Sequence, residues 1–147
     1  MGLFTSFNIN ASGLTAQRYR MDVVAENIAN SNTTRTEDGT PYRRKIVTFE
    51  EKGGGVSFSD AFNRAKGLYT GEGVKVSGTY EDYETDLIKA YDPAHPDADE
   101  NGYVYYPNVN IVTEMTDLID ASRAYEANVT AFNASKNMAM KGLQIGS

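Results

Sequence analysis

Apolar residues at the start of the chain recur in steps of three and four: Phe4, Phe7, Ala11, Leu14, then, past the charged Arg18, Met21, Ala25 and Ile28. Phe7, Leu14, Met21 and Ile28 are spaced by seven throughout, which is the seam of a coiled coil. No proline precedes Pro41, and Asn30, Ser31, Asn32 and Thr33 are residues whose side chains bond their own backbone and stop helices. The pattern predicts a helix over 6–29.

The other end carries a longer pattern, from an Asn110 cap to Leu143, roughly 50 Å at 1.5 Å per residue. Its side chains sort into three sectors around the helix. Ile111, Leu118, Tyr125, Val129, Phe132 and Leu143 form a large apolar one, which the pattern pairs with the N-terminal seam. Ala124, Ala127, Ala131, Ala134 and Met138 form a second, and Glu126, Thr130, Asn133, Asn137 and Gln144 a third that is polar and almost uncharged. A helix in a two-helix hairpin needs one apolar stripe, so the alanine sector asks for a further partner that approaches closely. Alanine is also a good helix former on a solvated face, but such faces are usually rich in Lys and Glu. Here only Glu126 and Lys136 are ionised between Arg123 and Lys141.

Between the ends, 33–109 reads as short strands and turns. Residues 42–50, 73–83, 86–91 and 102–106 are rich in β-branched and aromatic residues, and eight of the ten tyrosines lie within 33–109. The runs 36–41 (TEDGTP) and 52–55 (KGGG) are turn chemistry. The expected fold is α+β: N- and C-terminal helices pairing as an α-helical coiled coil, with a small β-rich module inserted between them. The corresponding parts are 1–32, 33–109 and 110–147.

Charge reinforces that division. The 147 residues carry a net charge of −6. Residues 1–32 sum to zero and 110–147 to −1, leaving nine positives and fourteen negatives in the centre. An acidic chain is a poor candidate for binding nucleic acid through phosphate neutralisation. No cysteine and a single histidine, His95, exclude thiol chemistry, disulfides, Cys-ligated metals and any site needing two histidines. No stretch reaches the length of a membrane span, and the start lacks the basic and apolar regions of a cleaved signal. Met1-Gly2 with Ser6 fits a short myristoylation pattern, and the sequons at Asn10, Asn32, Asn128 and Asn133 fall mostly in predicted helix.

Three constellations could carry chemistry. Asp97-Ala-Asp99-Glu-Asn101-Gly102 matches the first six positions of an EF-hand calcium loop, with Val104 at the apolar eighth. The twelfth position, however, is Asn108 rather than a bidentate Glu, and the preceding Asp92-Pro93-Ala94-His95-Pro96 cannot be an entering helix. An acidic turn leading into a strand explains the same residues. His95 between Asp92 and Asp97 offers a histidine–carboxylate pair, but no nucleophile motif accompanies it. Glu81, Asp82, Glu84 and Asp86 could supply a glycosidase pair only if an apolar pocket raised one pKa. The residues name no catalytic group, cofactor or metal ligand.

Asn27-Ile-Ala-Asn30-Ser-Asn32-Thr33, closing a heptad-patterned first helix, resembles the motif shared by bacterial flagellar axial proteins of rod and hook. The stretch from Asp92, Pro93, His95 and Pro96 to Asp99, then Gly102-Tyr103-Val104 and Tyr106-Pro107-Asn108-Val109, looks like the signature of the proximal-rod branch of that family. So does Glu114-Met115 followed by Ala121-Ser122-Arg123-Ala124-Tyr125-Glu126-Ala127-Asn128. The resemblance implies a structural subunit of the basal-body rod, without enzyme activity. Such a subunit is exported unfolded through the flagellar type III apparatus and polymerises helically around a central channel. The partners it implies are further copies of the chain and the rod proteins FlgB, FlgF, FlgG and FliE, with no nucleic acid and no membrane insertion. Another axial protein of distal-rod or hook type, and more remotely a calcium-binding module, are the alternatives. On the rod reading, Phe7, Leu14, Met21, Ile28, Leu118, Tyr125, Val129, Phe132 and Leu143 are the coiled-coil interface, Ala124, Ala127, Ala131 and Ala134 face neighbouring subunits, and Thr130, Asn133 and Asn137 line the channel.

Overall fold

The computed structural model describes residues 3–53, 58–66 and 71–145. Met1 and Gly2 of the myristoylation pattern, Gly54 and Gly55 of the KGGG turn, and the Phe4 side chain lie outside the described set. The elements in order are α1 (Leu3–Ala29), β1 (Lys45–Glu51), α2 (Phe58–Ala65), β2 (Val74–Glu81), β3 (Ile88–Tyr91), β4 (Tyr103–Tyr106) and α3 (Ile111–Ile145). The expected α+β architecture is present: the terminal helices pack on one another, and β1–β2 and β3–β4 form two two-stranded sheets between them in sequence. The predicted helices and strands are found with ends shifted by at most three residues. The exception is α2, where only strands and turns were expected.

The chain gathers into two compact units, each containing a stretch of both long helices. The first comprises Met1–Arg18, Thr48–Ser77 and Ser122–Ser147. Here the helices meet through Phe7 and Phe132, whose rings stand edge to face 5.0 Å apart. They also meet at Gly13, where a Cβ would come within 2.9 Å of the Asn128 Oδ1. From the α3 side, Tyr125, Asn128, Phe132, Ser135 and Ala139 are buried or half-buried, in alternating steps of three and four. The outer parts of β1 and β2 rest on α1: the Val74 amide donates to Ser12 Oγ (3.0 Å), which in turn donates to the Ile9 carbonyl (2.7 Å). Gly73 sits at φ +103°, and a Cβ there would lie 2.1 Å from Ser12 Oγ, so both backbone and space demand glycine.

The second unit comprises Tyr19–Val47 and Gly78–Ala121. Its interior holds Val23, Val24, Asn27, Tyr42, Val104, Val109, Glu114 and Ala121. Helix α1 ends where Asn30 turns its Nδ2 back to the Glu26 carbonyl (3.0 Å) and its Oδ1 accepts from Thr33 Oγ1 (3.1 Å). Helix α3 begins at Asn110, whose Oδ1 accepts the Val112 and Thr113 amides (3.0 and 3.3 Å), the cap its sequence predicts. Strands β3 and β4 pair antiparallel, Ile88 with Tyr106 and Tyr91 with Tyr103, so Lys89, Tyr91, Tyr103 and Tyr105 share the outward face.

Candidate functional site

The densest chemistry lies in the second unit, where a buried polar network binds helix to helix and helix to strand. Asn27 is at its centre. Its Nδ2 donates to the Lys45 carbonyl (2.9 Å) and to Glu114 Oε2 (3.0 Å), while its Oδ1 accepts from the Lys45 amide and the Tyr42 hydroxyl (both 2.8 Å). All four hydrogen-bonding positions of the amide are thereby used. Glu114, 1% exposed, also accepts from Arg44 Nε, and Asp117 lies between Arg44 and Arg20 (3.5 and 3.1 Å). A buried carboxylate so paired is costly to strip of its partners.

Asn108 repeats the device on the other side of Arg44. Its Oδ1 accepts the Arg44 amide (2.9 Å), and its Nδ2 donates to the Asp82 and Thr85 carbonyls (3.0 and 3.1 Å). The Tyr42 hydroxyl is pushed above its ordinary pKa, first by burial and then by the negative charge of Glu26, Glu114 and Glu81. Asp82 moves the other way. Its carboxylate, bonded by the Thr85 amide and hydroxyl and the Glu84 amide, with Arg44 near, is held below the usual carboxylate range.

That direction bears on the candidate chemistries. A general acid needs a raised pKa, and Asp82 is lowered. Asp97 accepts from Thr34 Oγ1 (2.8 Å) and faces Arg35 (3.7 Å), while Asp99 Oδ1 accepts the Asn101 and Tyr103 amides (2.9 and 2.8 Å). Asp97 thus ties this loop to Thr34 and Arg35 and Asp99 caps its own turn, and no group of three or more metal-ligating side chains converges among the described residues. His95 is partly buried, its Nδ1 accepting the Asp97 amide (3.1 Å) and its ring standing edge to face with Tyr106. Asp92 and Pro93 are exposed in the same loop, as is Pro96, and Asp92 accepts the Ala94 amide (3.2 Å). Of the motif asparagines, Asn27 is buried, Asn30 ends the helix and Asn32 is exposed.

The two long helices present the remaining residues as follows. Phe7, Leu14, Met21, Ile28, Leu118, Tyr125, Val129 and Phe132 are half-buried, whereas Leu143 is 77% exposed. Ala124 is half-buried, and Ala127, Ala131 and Ala134 are exposed, as are Thr130, Asn133 and Asn137. Sequence reasoning missed the polar members, Arg20, Arg44, Asn108, Glu114 and Asp117, because it sorted positions by apolarity. Their only signal was that Asn108 and Glu114 fell inside the family-like stretches. No helix among the described residues is long and apolar enough to cross a membrane.

Comparison with known proteins converges on one family. Residues 7–35 match the model of flagella basal body rod proteins, and residues 100–145 match the C-terminal model of the flagellar basal body rod FlgEFG proteins. The chain is 50% identical to the flagellar basal-body rod protein FlgC of Bacillus subtilis, with 99% of each chain covered. It is 47% identical to that of Borreliella burgdorferi over 99% of this chain and 98% of the relative. To that of Salmonella typhimurium it is 40% identical, with 99% of each covered.

Proposed function

This chain belongs to the FlgC family of flagellar basal-body rod proteins, and from that premise we propose how it is joined into the rod. It is a structural subunit located in the rod of the flagellar basal body. The paired helices form the inner, coiled-coil layer of the assembly. The β-rich part, 33–109, faces outward, and polymerisation is helical, enclosing the export channel and transmitting torque. Neighbours are further copies and the other rod proteins FlgB, FlgF, FlgG and FliE, delivered by the type III export apparatus. The subunit works without catalysis.

The observation that carries this reading is that α3 has more apolar surface than its partner helix covers. Met138 and Ile145 are 64 and 87% exposed, and Ala127, Ala131 and Ala134 are exposed on the same side of the helix. A soluble monomer gains nothing from such a face, whereas a polymer buries it. Thr130, Asn133 and Asn137, neutral and exposed, suit a channel wall past which unfolded chains of either charge slide. Because burial is completed only by neighbours, folding of the helix ends is coupled to docking.

Helical reconstruction of basal bodies built with this chain tests the arrangement. The expected map places Thr130, Asn133 and Asn137 on the lumen and the alanines between subunits; a map with those polar residues in a buried interface overturns it. Leu14→Asp or Phe132→Asp puts a charge into the half-buried seam and abolishes swimming while the protein is still made. Circular dichroism of dilute monomer should report less helix than the 27 and 35 residues of α1 and α3.

A further inference from the structure

The chain places a glycine directly after an acid or its amide at Asp38-Gly39 and at Asn101-Gly102. Glycine lacks the Cβ that keeps a backbone nitrogen away from the side-chain carbonyl carbon before it, so either pair can close a succinimide ring. In an unfolded chain the Asn-Gly pair closes faster. Its amide carbon is attacked directly and ammonia leaves, whereas an aspartate is ionised at neutral pH and must first take up a proton.

The fold reverses that order. The Gly102 amide donates to the Asp99 carbonyl (2.9 Å), and the Gly102 carbonyl accepts from the Asp92 amide (3.0 Å). The Asn101 and Tyr103 amides both donate to Asp99 Oδ1 (2.9 and 2.8 Å). Gly102 is buried, and a Cβ there would stand 3.0 Å from the Tyr91 ring and 3.1 Å from Pro93, which leaves the peptide no room to swing. Asn101 therefore reaches the Gly102 nitrogen only if this end of the β3–β4 pair opens and shifts Tyr91, itself packed edge to face on Tyr103 at 5.2 Å.

Asp38 is held by far less. Its loop closes only on itself: the Gly39 amide donates to the Thr36 carbonyl (3.0 Å), and the Thr36 amide and hydroxyl donate to the Thr40 carbonyl (2.8 and 2.9 Å). Residues 37–40 are exposed, and a Cβ on Gly39 would meet nothing within 4 Å. The Asp38 carboxyl has no hydrogen-bond or ion-pair partner among the described residues. Freeing the Gly39 nitrogen takes the loss of a single solvent-exposed bond, and such local openings cost far less than openings that disturb packed side chains.

We propose that Asp38-Gly39 is a site of spontaneous isoaspartate formation, and that the fold protects the intrinsically faster Asn101-Gly102. The Gly39 nitrogen attacks the carbon of the protonated Asp38 carboxyl; a C–N bond forms, the C–O bond breaks, and the hydroxyl leaves as water with the nitrogen's proton. Water then adds to one or other carbonyl of the succinimide. One opening restores aspartate, and the other leaves isoaspartate, whose main chain runs through the former side-chain carbon. The added backbone methylene lengthens the loop between Thr36 and Gly39 and breaks its closure, so the isoaspartyl fraction records how long a chain has stood folded.

The test ages the full-length chain in neutral buffer at physiological temperature. Peptide mapping by mass spectrometry follows Asn101 through the mass change of amide to acid, and an isoaspartate-specific carboxyl methyltransferase labels position 38. In the folded chain the label at Asp38 should accumulate ahead of any change at Asn101; in urea the order should invert. Asp38→Glu, which would need a larger ring, should abolish the label with the melting temperature unchanged. Asp38→Asn sets the same pair in both places, and position 38 should then convert at least about tenfold faster than Asn101, the difference in local opening alone. Conversion of Asn101 ahead of Asp38 in the folded chain, equal rates at the two positions in Asp38→Asn, or no label at Asp38 by the time the urea-treated chain has fully converted at Asn101 would each overturn the proposal.

Discussion

The two compact units solve one problem, holding a stretch of α1 against a stretch of α3, with opposite materials. In the first, Phe7 against Phe132 and Gly13 against Asn128 make a thin seam of close packing. In the second, Asn27, Arg44, Glu114 and Asp117 make a buried hydrogen-bonded one that also captures the backbone of β1. Packing of the first kind is tolerant of sliding by a turn, because apolar surface is non-directional. Directional bonds are not, so they fix the register of the two helices within the second unit. Their outer faces differ as well. Past Ser122 the face of α3 that carries Ile111, Met115 and Ile119 becomes Glu126, Thr130, Asn133 and Asn137.

The largest test of this contrast is Glu114→Ala. It leaves Arg44 with Asp117 alone and one buried Asn27 donor without its acceptor, and should cost about 3 kcal/mol, read by denaturant unfolding, while Glu114→Gln costs less. Phe132→Ala in the other unit removes a half-buried ring and should cost about 2–3 kcal/mol, at or below the low end for buried aromatics. If the order of these two is reversed, the polar seam is not the stronger clasp. Acid sharpens the comparison further. The carboxyl of Asp82 is lowered in the folded state, so the stability it lends is present above its unfolded pKa of about 3.9 and is lost as pH falls through the lower folded value. Asp82→Asn should flatten that part of the acid limb in a pH series of melts. The smallest effect belongs to Thr130→Ala and Asn137→Ala, exposed in the monomer, with changes in monomer stability within about 0.5 kcal/mol.

Both long helices were legible in the sequence because each buries one face and a three–four pattern records that directly, and the four described strands because they are rich in β-branched and aromatic residues. The short helix α2 was not. Phe58, Ala61, Phe62 and Ala65 do recur at helical spacing, but eight residues in a β-like context give too few repeats to prevail. The polar seam was hidden for a different reason. In α3 the inward positions of the second unit are Glu114, Leu118 and Ala121, and a scan for apolar residues registers only the last two. Burial of Glu114 is decided by Arg44 and Asn27, which lie 70 and 87 residues away in sequence. No local pattern contains such a pairing. Asn27 and Asn30 were visible as motif members, but their separate tasks, clasping a strand and ending a helix, follow only from their partners.

Asn27 and Asn108 share a habit with a long reach. Asn27 spends half of its amide on the main chain of Lys45, and Asn108 bonds the main-chain groups of Arg44, Asp82 and Thr85. A clasp that grips backbone is indifferent to what side chain that backbone bears. Lys45 can therefore change its side chain without loosening the grip of Asn27, whereas Arg44 and Asp82 are also kept by their own side-chain bonds, to Glu114 and to Thr85.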